Sequence, residues 1–182
     1  MSVLYRPKAQ FQGRPSDADG YKSCTAYSFA VGIDAVSKGV IVPTGHQIRA
    51  LTNEPSPDPG DPGLTFAQVV AAGERFGARF VAVRKPWNIY QSVIASHRWT
   101  CLAVWYPDLG SARTQKTGSF GHAIGVMAIN TAGDKALMYD PLAKSAKWVL
   151  LSVLRKAATT WSSMNSLGGI DYAASVDPIP YM

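Results

Sequence analysis

The chain has 182 residues, 47% of them apolar and 16% charged, which is the composition of a globular domain long enough for a real core and not of a disordered chain. Its net charge of +6, from 18 basic and 12 acidic residues, favours polyanionic neighbours such as nucleic acid, teichoic acid or an acidic protein surface. The basic residues are scattered, with no run of five, so nucleic acid is not expected as a specific ligand; two cysteines with no CxxC pair make neither a disulfide framework nor a zinc motif.

Residues 1–20 read as an extended N-terminal arm leading into a turn. The arm is polar and lacks an apolar segment of signal-peptide type, so cytoplasmic synthesis without a signal peptide is expected. No apolar run reaches the roughly 18 residues that span a bilayer, so no membrane partner is expected. Residues 24–38 read as a helix with Ser23 as its cap, an apolar face from Ala26 to Ala35, and Gly39 as its stop. A second short helix is expected near 45–52. The stretch "PSPDPGDPG", residues 55–63, has four prolines and two glycines and can only be a surface loop.

"LTFAQVVAAGERFG" predicts an amphipathic helix capped by Thr65 and stopped at Gly77, and "ARFVAV" a strand. "NIYQSVIASH" predicts a helix with Asn88 as cap. "WTCLAVWY", "GHAIGVMAI" and "KALMYDP" follow as three apolar strands, with "KWVLLS" as a fourth. "SVLRKAATTW" closes the regular structure with a helix, and residues 162–182 read as a C-terminal tail of loop. No internal repeat is visible. Helices precede strands, so the class is α+β in a single domain, a helical half facing an antiparallel sheet.

Three residues stand in an order that carries chemistry. Cys24 begins a helix, His122 opens a strand, and Asp140 ends the next strand, 18 residues after the histidine. Two adjacent antiparallel strands can bring such a His–Asp pair together. A thiolate beside an imidazolium oriented by a third polar group is what nucleophilic cysteine catalysis requires. A helix N-terminus and a paired histidine both add positive potential at the sulfur. Cys101 reads as strand core, His46 and His97 as surface residues, and Trp161 as a core or groove-lining residue.

These segments resemble the papain-like cysteine peptidases. "SCTAYSFAVG" is similar to the family's Ser-Cys-Trp-Ala-Phe-Ser segment: Ser23, Cys24, Ala26 and Ser28 match, Tyr27 stands for Phe and Thr25 for Trp. "GHAIGVMAI" resembles the family's histidine strand. "LMYDPLAKSAKWVLLSVLRKAATTW" resembles the closing part of the compact branch that processes bacteriocin leaders, in which an Asp-Pro follows the histidine hairpin and a helix ending in Trp comes next. The resemblance spans residues 17–161. From 24 to 122 is 98 residues, shorter than the ~130–150 of papain-type enzymes, as in a compact member. CHAP-type amidases also begin with a Cys-Thr-x-Tyr-like element but are expected to have a shorter Cys–His separation.

What the resemblance implies is a papain-like fold, with the nucleophile helix packed on a C-terminal antiparallel sheet, and hydrolysis of peptide or isopeptide bonds through Cys24, His122 and Asp140. No metal or organic cofactor is implied, and the partner is a peptide or protein substrate. One position departs from the pattern. The family holds its oxyanion with a glutamine a few residues before the cysteine, and Ala18 stands six residues before Cys24. Gln12 and Asp19 are the candidates nearby, although a carboxylate donates only when protonated. A second reading follows from that departure: an inactive papain-like structural subunit with protein partners in a phage virion, tail or capsid, or another large assembly.

Overall fold

The computed structural model describes residues 3–10, 23–52 and 63–182. Five helices of α type and six strands run along the described chain. They are α1 (Cys24–Ser37), α2 (Gly45–Ala50), α3 (Phe66–Glu74), β1 (Phe80–Lys85), α4 (Trp87–Ala95), β2 (Thr100–Trp105), β3 (Gly121–Ile129), β4 (Lys135–Tyr139), β5 (Lys147–Leu150), α5 (Leu151–Met164) and β6 (Ile170–Ser175). A 3-10 helix, Tyr106–Ala112, follows β2.

The strands form one sheet in the order β1-β6-β2-β3-β4-β5, with every neighbouring pair antiparallel. The arrangement is α+β. Side chains alternate across the sheet, so it carries a core on each face. Cys101, Ala103, Ala123, Leu137 and Ala173 pack with α1–α3. Leu102, Val104, Ile124, Met138 and Tyr172 pack with α4 and α5. The expected helical half is therefore only one of two covers.

Three local expectations are corrected. The segment read as a loop tail from residue 162 contains the end of α5 and all of β6, which lies between β1 and β2. Ile170, Tyr172 and Ala174 do alternate toward one core, but "AAS" carries little β preference and obscures the pattern. Ser23 makes no side-chain cap on α1; its hydroxyl instead accepts from Arg49 of α2 at 3.4 Å. Asn88 sits inside α4, whose N-cap position is Pro86. Thr65 does cap α3, in a reciprocal box with Gln68. Most of the 55–63 loop lies outside the described residues.

The described part of the N-terminal arm is anchored along α1. Tyr5 Oη donates to Asp34 Oδ1 at 2.9 Å, and Lys8 N–H to Asp34 Oδ2 at 3.0 Å. It also meets the C-terminal end, through Tyr5 N–H to Pro180 O at 3.0 Å and Met182 N–H to Val3 O at 2.8 Å.

Trp99 sets the separation between α1 and the sheet. Its indole is fully buried and leaves no room at two glycines. A Cβ on Gly32 of α1 would lie 2.5 Å from Trp99 Cδ1, and one on Gly125 of β3 would lie 2.1 Å from Trp99 Cζ2. Gly125→Ala and Gly32→Ala should each destabilise the fold by about 1–3 kcal/mol through overpacking. Urea unfolding checks this, and a midpoint equal to that of the wild type for either variant would remove Trp99 as the spacer.

Candidate active site

Cys24 is the first residue of α1 and is half-buried. Two side chains near it hold the first turn in place. Thr25 Oγ1 donates to Leu64 O at 3.1 Å, and Ser28 Oγ donates to Ala123 O at 3.0 Å. The second bond ties the helix to the residue that follows His122. With no side-chain cap on α1, the positive end of the helix is presented at the thiol.

His122 lies at the start of β3, and its side chain is 2% exposed. Its Nε2 is 2.8 Å from Oδ1 of Asp140, whose side chain is 0% exposed. That bond leaves Nδ1 as the nitrogen available to the Cys24 thiol. The ring is also held by perpendicular contacts with Tyr106 at 5.1 Å and Phe120 at 5.9 Å. Asp140 begins a turn in which Leu142 N–H donates to Oδ1 at 2.9 Å and Ala143 N–H to the Asp140 carbonyl at 2.8 Å. The residue therefore serves as turn former and histidine partner at once. Thr114 donates to its other oxygen, Oδ2, at 2.9 Å.

Burial opposes charge on all three groups, and the attraction of each anion for His122, with the hydrogen bonds around them, overcomes it. Burial raises the Cys24 thiol, but the charge and hydrogen bonding of His122, with the Ala123 amide and Thr25, bring it below its ordinary 9.0. Burial lowers His122, but Cys24 and Asp140 lift it from 6.5 to about 9. Burial raises Asp140, but its bond to His122 takes it below 3.8. The arrangement supports a thiolate–imidazolium pair at neutral pH, titrating as one unit.

The pair opens onto a cleft of about 640 Å³. Trp161, at the end of α5, closes over Gly121, where a Cβ would lie 2.1 Å from Trp161 Cζ3. Arg84 of β1 and Asp171 of β6, 3.2 Å apart, also line the cleft.

Of the residues singled out in the sequence, Cys24, His122 and Asp140 come together, and Trp161 lines their cleft. Gln12 and Asp19 lie outside the described residues. Cys101 is buried in β2, where burial and nearby Cys24 push its thiol well up; both cysteines are free. His46 is exposed. His97, expected at the surface, is half-buried with its ring 5.7 Å from that of Tyr181. Thr114 has no motif to announce it; the Asp-Pro turn that brings Leu142 N–H to Asp140 does have a sequence signal.

No protein-family model and no curated protein matches this chain. Solved structures do. The chain superposes on a C39-like peptidase from Bacillus anthracis with a TM-score of 0.63 and 12% identity, over 99% of this chain and 100% of that one. The peptidase domain of Streptococcus ComA, a bifunctional ABC transporter of a quorum-sensing pathway, gives 0.59 and 11%, over 93% and 98%. A double-glycine-motif protease from an AMS/PCAT transporter, solved with its leader peptide, gives 0.56 and 15%, over 96% and 98%. The fold is thus papain-like, in the compact form of the bacteriocin-leader (C39) peptidases. Among the described residues no helix is long and apolar enough to cross a membrane.

Native alkylation by iodoacetamide should label Cys24 and leave Cys101 unmodified, as mass mapping will read. The Cys24 rate should hold up well below pH 9, because His122 stabilises the thiolate. In His122→Ala the rate should fall at neutral pH and recover only as pH approaches the ordinary thiol value. Equal labelling of both cysteines, or an unchanged His122→Ala profile, would show that the thiol is not tuned by the histidine.

Proposed function

We propose that this chain is a papain-like cysteine peptidase that hydrolyses peptide or isopeptide bonds. Cys24 is the nucleophile, His122 the base and then acid, and Asp140 the group that orients the imidazole. The observation that carries the reading is the buried 2.8 Å His122–Asp140 bond beside a helix-terminal thiol that opens onto a cleft.

In this mechanism the Cys24 thiolate adds to the substrate carbonyl and the carbonyl oxygen becomes an oxyanion. The Cys24 backbone N–H at the helix N-terminus is one donor to it. The imidazolium of His122 gives its proton to the leaving amine as the C–N bond breaks, leaving a thioester. Water, deprotonated by His122, then attacks the thioester, the acid product leaves, and the thiolate–imidazolium pair is restored. A second oxyanion donor is needed. Gln12 is the better candidate, because Asp19 as a carboxylate would repel the intermediate.

Trp161 seated on Gly121 narrows the cleft beside His122, and Ala103 and Ala123 add only methyl groups to its wall. Small residues next to the scissile bond fit that space. The double-glycine-motif protease with its leader peptide supports the same substrate character. A leader-like peptide, a cell-wall peptide and a protein target, including one met by a phage-borne enzyme, all fall within this class. Ala18, where the family has its glutamine, favours the competing reading of an inactive subunit in a virion or other large assembly.

Peptides with Gly or Ala before the scissile bond should be cleaved in preference to those with Leu or Phe, as mass spectrometry of a peptide panel will show. The kcat/KM profile should be bell-shaped. It rises as the thiol ionises below 9.0 and falls as the His122 imidazolium, the acid for the leaving amine, deprotonates at about 9. Cys24→Ala should abolish cleavage, and Gln12→Ala should slow it by about 100–1,000-fold while leaving alkylation unchanged. No cleavage of any panel member, with the biological role intact in Cys24→Ala, would favour the structural subunit.

A further inference from the structure

Asp140 holds His122, and three donors hold Asp140. Oδ1 accepts from His122 Nε2 at 2.8 Å and from Leu142 N–H at 2.9 Å. Oδ2 accepts from Thr114 Oγ1 at 2.9 Å. The first two donors belong to β3 and to the turn that Asp140 itself begins. Thr114 comes from the irregular segment between the 3-10 helix and β3. It is an exposed residue whose hydroxyl reaches a fully buried carboxylate.

Irregular backbone needs something to fix it, and here that is a phenol. Tyr106 Oη accepts two successive backbone N–H groups, Thr114 at 3.0 Å and Gln115 at 2.9 Å. Tyr106 itself is fully buried. Its ring stacks on Phe120 at 4.7 Å and stands perpendicular to His122 at 5.1 Å. One aromatic side chain thus touches the imidazole with its ring and fixes, with its oxygen, the residue that holds the imidazole's partner.

We propose that Thr114 is a positioning residue for the His122–Asp140 pair, set in place by the hydroxyl of Tyr106, acting on the reaction through Asp140 and not through substrate. The proposal rests on the peptidase reading above. A buried carboxylate that loses one of three donors is less firmly held in one rotamer and less strongly favoured as the anion. The imidazole then loses its fixed partner at Nε2, and Nδ1 its aim at the thiol. Among the described residues, the groups that face the pair come from few elements. His122 faces Cys24 from α1, Asp140 after β4, and the Tyr106 and Phe120 rings; Tyr106 also feels the charges of Asp140 and Arg113.

The test compares wild type, Thr114→Val, Thr114→Ser and Tyr106→Phe as full-length protein. The readouts are the pH profile of Cys24 alkylation, kcat and KM on a cleaved peptide, and thermal melting. Thr114→Val should move the alkylation midpoint to higher pH, slow alkylation at pH 6 and lower kcat by roughly tenfold, the loss of one hydrogen bond to a charged group. KM should hold, because Thr114 touches no substrate in this scheme, and the melting temperature should fall by only a few degrees, as for one lost hydrogen bond. Thr114→Ser should restore the wild-type profile. Tyr106→Phe should move the profile in the same direction as Thr114→Val. A Thr114→Val profile that superimposes on wild type, failure of Thr114→Ser to restore it, or a rise in KM at constant kcat would each overturn the proposal. If the wild-type thiol itself titrates as an ordinary cysteine, it is the peptidase reading that falls. If the wild-type thiol is tuned and Thr114→Val leaves it so, only the positioning role falls.

Discussion

The distance between one helix and one sheet governs everything at this site, and a buried tryptophan sets that distance. Trp99 fills the space between Gly32 of α1 and Gly125 of β3, so neither surface can approach or retreat without an overlap or a void. Interiors packed to this density respond to a single methylene. Cys24 rides on the first turn of that helix and His122 on the start of that strand. The Ser28–Ala123 bond then fixes the register of the helix on the strand at the end where the chemistry sits. The spacer lies about two helical turns from the thiol, since a turn takes about 3.6 residues.

Within that frame the electrostatics depend on mutual compensation. Each of Cys24, His122 and Asp140 is disfavoured as an ion by its burial; the His122 cation favours both anions, and Cys24 and Asp140 together favour the cation. Such a set is stable only as a whole, because removing one partner of a buried ion pair strands the other, at about 3–5 kcal/mol. The same compensation holds the thiol below its ordinary value and the histidine above its own. The Tyr106 and Phe120 rings flank His122, the Leu142 amide bonds Asp140, and Cys24 and His122 line the cleft.

The solved structures that share this fold do so at 11–15% identity. At that distance few side chains are held in common, while the path of the chain is. The sheet explains part of this. Its strand order interleaves the last strand between the first two in sequence, so the C-terminal strand is held on both edges by strands from much earlier in the chain. The arm at residues 3–10 adds to it by pairing with residues 180–182 and bonding Asp34 on α1.

Local chemistry was legible in the residues themselves. The Thr65 cap, the continuous apolar run of β3 and the Cys–His–Asp order with its short local motifs are properties of neighbouring residues. They needed only periodicity and hydrogen-bonding capacity to be read. What depended on distant pairings was not legible. β6 is a strand because Ile170, Tyr172 and Ala174 find a core and two partner strands, and "AAS" alone carries no such message. Ser23 looks like a helix cap in sequence, yet its hydroxyl is bonded by Arg49, 26 residues away. Thr114 reaches Asp140 across the same interval of 26 residues, held by a phenol that no motif links to it. The sequence by itself determined which groups could react; the tertiary structure alone decided which of them meet, because hydrogen bonds and packing across the sheet join residues that no local pattern relates.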